Sequence, residues 1–382
     1  MLIGFDGTPL GELKTGVGHY TFELARALAG VRPEDQFEMV SHRPYVPEAT
    51  ENLEIDRPNL RRAFVPVNRL TRHWWTIGLP SYLKRNLFDL FHGTNYDIPL
   101  RGRAATVLAV HDLSTWLHPE THEARAVQRA RRRLPFMARR ATMIVTPTES
   151  VRREVCAVLK ISPDKVVAVP DAQREVFRPL EPDRTAEVRA RLGIAENYIL
   201  CVGTLEPRKN LACLLKAFDE VAASGAIRPI PDLVLTGRTG WLSTGVAAKI
   251  DASRFRERIR LTGYVTDEDL RALYSSCLTM IYPSLYEGFG LPPLEAMACG
   301  APVISSSIAS ISEVLGRNAL LVEPTDCAAL ARGIIELLTN AEARRRLREA
   351  GLAHARSFSW RQTAELTFAI YREALARRAA GG

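Results

Sequence analysis

Short apolar runs alternate with helix-patterned stretches along the whole chain, and the alternation begins twice. The first series opens with LIGFD (2–6), an apolar run ending in an acid. A glycine loop follows, then VGHYTFELARALAG, where Val17, Phe22 or Leu24, Ala25 and Leu28 recur at helical spacing up to Gly30. FEMVS (37–41), DLFH (89–92), ATVLAVH (105–111) and MIVTP (143–147) read as further strands. The second series runs through YILCVGT (198–204), a helix from Leu211, DLVLTG (232–237), RIRLTGYV (258–265), LTMIYPS (278–284), PVISS (302–306) and NALLVEP (318–324). Apolar strands separated by amphipathic helices imply parallel sheets covered on both faces. Two such series in 382 residues predict an α/β chain of two Rossmann-like domains. The joint falls in PDAQREVFRPLEPDRTAEV (170–188), rich in proline and charge. The expected domains are therefore 1–175 and 176–358, with a closing segment 359–382. That segment holds a helix from Trp360 to about Arg378 whose docking face its pattern does not reveal.

Composition enters mainly by exclusion. MLIGFDGTPL lacks a basic stretch followed by a long apolar run, which argues against a signal peptide. No run approaches the roughly 18 apolar residues of a membrane-spanning helix. The cysteines at 156, 201, 213, 277, 299 and 327 show no metal-ligand spacing and predict reduced, mostly buried thiols in a cytoplasmic protein. Residues 1–180 carry 26 Lys and Arg against 20 Asp and Glu, and residues 181–382 carry 25 against 23. The first half is thus expected to face something anionic more than the second. Arginine outnumbers lysine 44 to 7, a composition of GC-rich bacterial genomes.

Ligands of open parallel sheets bind beyond the carboxyl ends of the strands, and that rule selects the candidate residues. In YEGFGLPPLEAMACGAPVIS (286–305) a sharp turn joins a strand to a helix, with Pro292 and Pro293 suited to the first helical turn. The N–H groups of Phe289, Gly290 and Leu291 make a natural anion site. Glu287 and Glu295 flank it. Carboxylates repel phosphate but accept from hydroxyls, so sugar and ribose alcohols fit them. The alternative is that Glu295, in the first turn, complements the helix dipole and Glu287 is a loop charge. In VGTLEPRKNL (202–211), Arg208 and Lys209 precede a helix start, where cations are unfavourable unless a pyrophosphate bridges them; a solvated basic turn is the competing reading. LKTGVGHY (13–20) places glycines before a helix, which lets backbone approach a ligand closely. In VLAVHDLS (107–114), His111 leaves a strand end, either to donate to a substrate or to serve a structural hydrogen bond. TDEDL (266–270) resembles a metal-binding acidic pair but reads as a Thr266 N-cap with acids in the first turn, so no metal is expected. EARAVQRARRRLPFMARRA (123–141) holds seven arginines, with Val127, Ala130, Leu134 and Met137 on one face and Pro135 expected to kink or break the helix. It is either a membrane-surface segment or a solvated helix with one face in the core.

With these stretches side by side, the chain resembles the retaining nucleotide-sugar glycosyltransferases of family 4, over nearly its whole length. The resemblance rests on Glu287 and Glu295 within EGFGLPPLEAMACGAPVI, on VGTLEPRKNL, TGVGHY and VHDLS, and on a late FSWRQTA. It implies the GT-B fold, two Rossmann-like domains facing a central cleft with the last helix crossing back to the first domain. By position, Glu287 matches the acid on the donor sugar's hydroxyls, and Glu295 the ribose-binding acid. Phe289, Gly290 and Leu291 match the turn that meets sugar and phosphate. Lys209 and Arg208 match the cations on the pyrophosphate, Gly16 the loop glycine of the first domain, and His111 the histidine near sugar and acceptor. Val265 lies where relatives hold the base through backbone groups. Some relatives carry a phosphate-binding arginine directly after the strand glycine; here that position is Thr204, and Arg208 is expected to stand in. The joint reads VPDAQREVF where relatives often show an Asn-Gly turn.

The resemblance implies metal-independent transfer of a hexose from a nucleotide diphosphate to an acceptor hydroxyl, with retained anomeric configuration. The expected donor is GDP-mannose, with UDP- and dTDP-sugars as alternatives; no cofactor is expected. The acceptor is a glycan or lipid-linked glycan of cell-surface polysaccharide or glycolipid synthesis. The enzyme is expected at the cytoplasmic face of a membrane, with anionic lipid as a further contact and no nucleic acid. Two other classes compete: an epimerase or phosphorylase on the same fold, which needs no acceptor hydroxyl or uses phosphate, and a non-catalytic basic binding protein.

Overall fold

A computed structural model describes the chain except residues 13, 15, 48–56, 239, 241–243, 381 and 382, and the side chain of residue 244. The described chain divides into two compact units. The first comprises Met1–Leu113, Arg125–Asp171 and Ser359–Gly382; the second comprises Ser114–Ala124 and Ala172–Phe358. The short segment Ser114–Ala124 therefore belongs with the second unit although the chain around it belongs to the first.

The first unit holds a seven-stranded parallel sheet: β1 (Leu2–Asp6), β2 (Gln36–Ser41), β3 (Leu60–Phe64), β4 (Leu90–Gly93), β5 (Ala105–Ala109), β6 (Met143–Thr146) and β7 (Val166–Ala168), in the order β3-β2-β1-β4-β5-β6-β7. Ile3, Phe5, Leu90, Phe91, Val107 and Leu108 are fully buried, as strands covered on both faces require. β3 and β7 were not anticipated. β3 is an edge strand whose Arg61 and Arg62 lie exposed, so it presents no apolar run, and β7 is only three residues long.

The helix Ala124–Arg140 runs through Pro135, which the sequence reading expected to kink or break it. Proline removes one backbone donor, and buried Leu134, Met137 and Ala138 hold the turns on both sides of that gap. The helix Trp360–Ala380 belongs to the first unit. Thr363 Oγ1 donates to the Pro170 carbonyl at 2.8 Å, Tyr371 Oη meets His92 Nδ1 at 2.6 Å, and the Arg32 guanidinium lies 4.1 Å from the Phe368 ring centroid.

The second unit holds a six-stranded parallel sheet: β8 (Tyr198–Val202), β9 (Asp232–Thr236), β10 (Ile259–Gly263), β11 (Thr279–Tyr282), β12 (Val303–Ser306) and β13 (Leu320–Val322), in the order β10-β9-β8-β11-β12-β13. One apolar cluster, including Leu200, Tyr274, Met280, Leu294 and Val303, packs one face; another, including Ile199, Phe218, Leu233, Ile281 and Ile334, packs the other. Cys213 and Cys327 form a disulfide, their Cα atoms 5.2 Å apart. This corrects the expectation of reduced thiols for those two residues. The helices Leu211–Ala223 and Cys327–Thr339 share one apolar cluster and so bring together positions 114 residues apart. Cys201, Cys277 and Cys299 are free and buried, and Cys156 is free and half-buried. Among the described residues, no helix is long and apolar enough to cross a membrane.

In each sheet the strand order reverses at one place, between β1 and β4 and between β8 and β11. The chain emerging from the carboxyl ends beside such a reversal diverges to opposite faces and leaves a crevice. The residues that follow β8 and β11 are those of the two most specific sequence stretches.

Candidate active site

β8 is followed by a turn that leads through Pro207–Lys209 into the helix Leu211–Ala223. Asn210, at φ 55°, reverses the chain, and its Nδ2 donates to the carbonyls of Pro283 and Pro324 at 3.1 and 2.7 Å. Asparagine tolerates this left-handed conformation better than most residues. The bonds fix the turn against the end of β11. Leu285 N also donates to the Arg208 carbonyl at 2.9 Å. The two strand-end segments are therefore stitched together before any side chain is counted.

Their charged side chains interlock. Lys209 Nζ donates to Glu287 Oε1 and to Tyr282 Oη, both at 2.7 Å. Arg208 Nη1 lies 2.8 Å from Glu287 Oε2 and donates to the Tyr286 carbonyl at 2.8 Å, and Arg208 Nη2 donates to Glu206 Oε1 at 2.7 Å. Two cations thus meet two carboxylates, and neither cation is the solvated charge of a basic turn: Arg208 and Lys209 side chains are 13% and 12% exposed. Burial would raise the Glu287 pKa, but Arg208 and Lys209 overcome it and bring it down to about 2. Glu206 is shifted the other way: burial raises it, opposed by Arg208 and Lys209. Glu206 was absent from the sequence reading because VGTLEPRKNL offers it only as one more turn acid.

The turn after Glu287 reaches the helix Leu291–Ala298 through Gly290 at φ 100°. The left-handed conformation calls for glycine, and a Cβ there would lie 2.4 Å from the Ile311 Cδ1 methyl, which would have to move aside. Pro292 and Pro293 carry no N–H, which leaves the backbone donors of this helix start to Leu291 and the turn before it. The Phe289 ring is buried and meets Phe358 edge-on at 6.0 Å, so only its backbone can face a ligand.

Glu295 is the fifth residue of that helix, beyond the first turn where the dipole reading had placed it. It is buried, 3.3 Å from Arg174 Nη2, with Tyr274 Oη donating to Oε2 at 3.5 Å. Burial raises its pKa and Arg174 opposes that rise. Thr204 is half-buried after β8, with its methyl against Gly240. Val265 is half-buried between β10 and the helix Asp267–Ser276. Thr266 caps that helix by accepting from Asp269 N at 3.2 Å, as its sequence suggested. The acids behind it pair with arginines, Asp267 with Arg174 and Asp269 with Arg191.

In the first unit, Gly16 opens the helix Gly16–Val31 and is exposed. A Cβ there would meet nothing within 4 Å, so the described fold gives no reason of its own for glycine. Leu13 and Thr15 of the same loop lie outside the described residues. His111 follows β5, held edge-on between Tyr20 and Tyr96 at 4.7 and 5.7 Å. Its Nε2 lies 2.7 Å from the Thr94 carbonyl, and burial lowers its pKa, with Thr94 and Asp112 opposing. A neutral ring must place its proton on Nε2 to donate to that carbonyl, so Nδ1 can only accept. The donation to substrate foreseen from the sequence is closed to the neutral ring. Tyr20, His111 and Asp171 line one small recess at the ends of β5 and β6. Asp171 is buried, its Oδ1 has no hydrogen-bond partner among the described residues, and burial raises its pKa to about 7.

Residues 14–172 match the model described as Glycosyltransferase Family 4, and residues 185–354 match that described as Glycosyl transferases group 1. The chain is 31% identical over 382 residues to the O-antigen chain mannosyltransferase B of Escherichia coli, covering 97% of this chain and 100% of that one. Among solved structures it resembles sucrose-phosphate synthase from Thermosynechococcus elongatus, with a TM-score of 0.78 at 20% identity over 98% of this chain and 99% of that one. It also resembles Anabaena HepE in complex with UDP-glucose, with a TM-score of 0.76 at 17% identity over 98% and 99% of the two chains. At those identities the likeness is one of fold.

Proposed function

The chain belongs to the family 4 glycosyltransferases, and from that membership we propose that it moves mannose from GDP-mannose to a hydroxyl of a growing glycan, with retention of configuration. The observation that carries the reading is the Lys209–Glu287–Arg208 cluster at the strand reversal of the second sheet. Departure of the nucleotide builds negative charge on the diphosphate. Arg208, Lys209 and the backbone donors before the helix Leu291–Ala298 are fixed donors of the kind that stabilise such charge. Glu287, ionised well below neutral pH, is suited to accept from sugar hydroxyls and to face positive charge developing on the ring. Glu295 takes the ribose hydroxyls and the backbone at Val265 the base. Backbone at Gly16 approaches the donor, and His111 Nδ1 accepts from a hydroxyl. The acceptor attacks from the side the nucleotide leaves, and the departing phosphate takes its proton. This assignment uses no metal and no cofactor.

Support for the mannosyl donor and the polysaccharide acceptor comes from the E. coli relative, an O-antigen chain mannosyltransferase. The test is a melting screen with GDP, UDP, dTDP and ADP, since a ligand of the native state alone raises the melting temperature. GDP should give the largest rise, and transfer from GDP-mannose should give a product with the donor's anomeric configuration. A rise with UDP alone would sink the mannosyl reading while leaving the transferase.

A membrane contact for the first unit has one support, the helix Ala124–Arg140. Its Arg125, Arg129, Arg131, Arg132, Arg139 and Arg140 are exposed, along with Phe136 at 46%. Binding to vesicles containing anionic phosphatidylglycerol, falling with salt and absent for neutral vesicles, is the expected result of a flotation assay. Equal recovery on both kinds of vesicle would refute it.

A further inference from the structure

Arg174 lies in the chain joint, which the sequence presents only as a charged linker. Its side chain is nevertheless 9% exposed. Nε and Nη2 lie 3.4 and 3.3 Å from Glu295 Oε1, and Nη1 donates to Asp267 Oδ2. The guanidinium stacks over Phe177, 4.6 Å from the ring centroid, and Phe177 is part of the second unit's core. The plane of the guanidinium is therefore fixed by packing, and its two edges serve two different carboxylates.

We propose that Arg174 is a positioning residue for nucleotide binding: through its ion pair it holds Glu295 ionised and aimed, with Asp267 setting how strongly it does so. This rests on the donor reading above, in which Glu295 receives the ribose hydroxyls. A carboxylate receives two hydroxyl donors well only when ionised, because the protonated form carries a donor of its own. Oε1 is engaged by Arg174, and among the described residues Oε2 has only the longer Tyr274 contact, at 3.5 Å. Oε2 is thus the oxygen with room for a ribose hydroxyl.

The charge balance around Glu295 is set by few groups. Arg174 faces it from the joint, Asp267 and Tyr274 from the helix Asp267–Ser276, and Cys299 from the end of its own helix. Burial favours the neutral acid and Asp267 adds to that; Arg174 is the opposing cation. Removing Arg174 leaves both influences that favour protonation. Removing the Asp267 charge takes one of them away. The two substitutions therefore act in opposite directions on the same carboxylate, which a merely structural role would not produce.

The experiment is GDP binding by titration calorimetry across the pH range in which carboxylates and histidines titrate. It uses the full chain and its Arg174→Met, Arg174→Lys, Asp267→Asn and Glu295→Gln variants. In the parent, affinity falls as pH falls through the Glu295 pKa. Arg174→Met should move that fall to higher pH by about one unit, so that binding is about tenfold weaker than the parent's at pH values below both midpoints. Arg174→Lys should recover part of the loss. Asp267→Asn, made on a side chain 40% exposed, should move the fall to lower pH. Glu295→Gln should be weak and lack that pH dependence.

A parental profile in Arg174→Met, or a shift of Asp267→Asn in the same direction as Arg174→Met, would overturn the proposal. Should Arg174→Met fail to fold, the direction of the Asp267→Asn shift decides alone. Unimpaired GDP binding by Glu295→Gln would instead refute the ribose assignment, and this inference with it.

Discussion

Lys209→Met should lower kcat for mannosyl transfer by about 10²–10³, the usual loss on removing one fixed donor to a developing anion. The side chain is placed for this by the turn at Asn210 and by two bonds, to Tyr282 and Glu287. The fold should survive, because Glu287 keeps Arg208 as its partner. Rates with saturating GDP-mannose, alongside the melting temperature of the variant, check both statements. Turnover within a few-fold of the parent would mean that the cation does not meet the leaving group.

Glu287→Gln should lose transfer to a similar or greater degree, yet bind GDP at least as tightly as the parent. The parental carboxylate neutralises the two cations assigned to the diphosphate. Without it, Glu206 still pairs with Arg208, and a bound diphosphate replaces the missing charge. The same vacancy should destabilise the ligand-free protein by about 3 kcal/mol, as breaking a buried ion pair from one side does. Nucleotide should therefore raise the variant's melting temperature more than the parent's. The parental Glu287 has its folded pKa depressed from 4.5 to about 2. Its stabilisation is complete above pH 4.5 and is lost as pH falls towards about 2; the variant should lack that acid-sensitive component. Weaker GDP binding together with a parental rate would reverse the assignment.

The sheets were legible because strands covered on both faces read as apolar runs, and eleven were read from such runs or, as in RIRLTGYV for β10, from a partly apolar one. β3 and β7 were not, one masked by exposed Arg61 and Arg62 and the other too short to register. The site divides along the same line. Glu287, Arg208 and Lys209 were visible because turn, glycine and proline spacing fixes where their backbones must go. Their partner Glu206 and the pairing of Arg174 with Glu295 were not, because those contacts join segments whose packing no local pattern encodes. The Arg174–Glu295 contact spans 121 positions. The disulfide between Cys213 and Cys327 was hidden for the same reason. Glu295 illustrates a subtler loss: a shift of one turn along a helix converts a dipole partner into a buried acid, and sequence periodicity does not fix helix starts that closely.

The helix Trp360–Ala380 has a bearing on biosynthesis. Residues 172–358 are contiguous and are nearly all of the second unit, whereas the first unit is assembled from pieces on both sides of them. A chain made from its amino terminus can therefore close the second sheet while the ribosome still withholds the helix that covers Tyr20 and His92. Until that helix emerges, the surface it will cover stays open to chaperones and to other nascent chains.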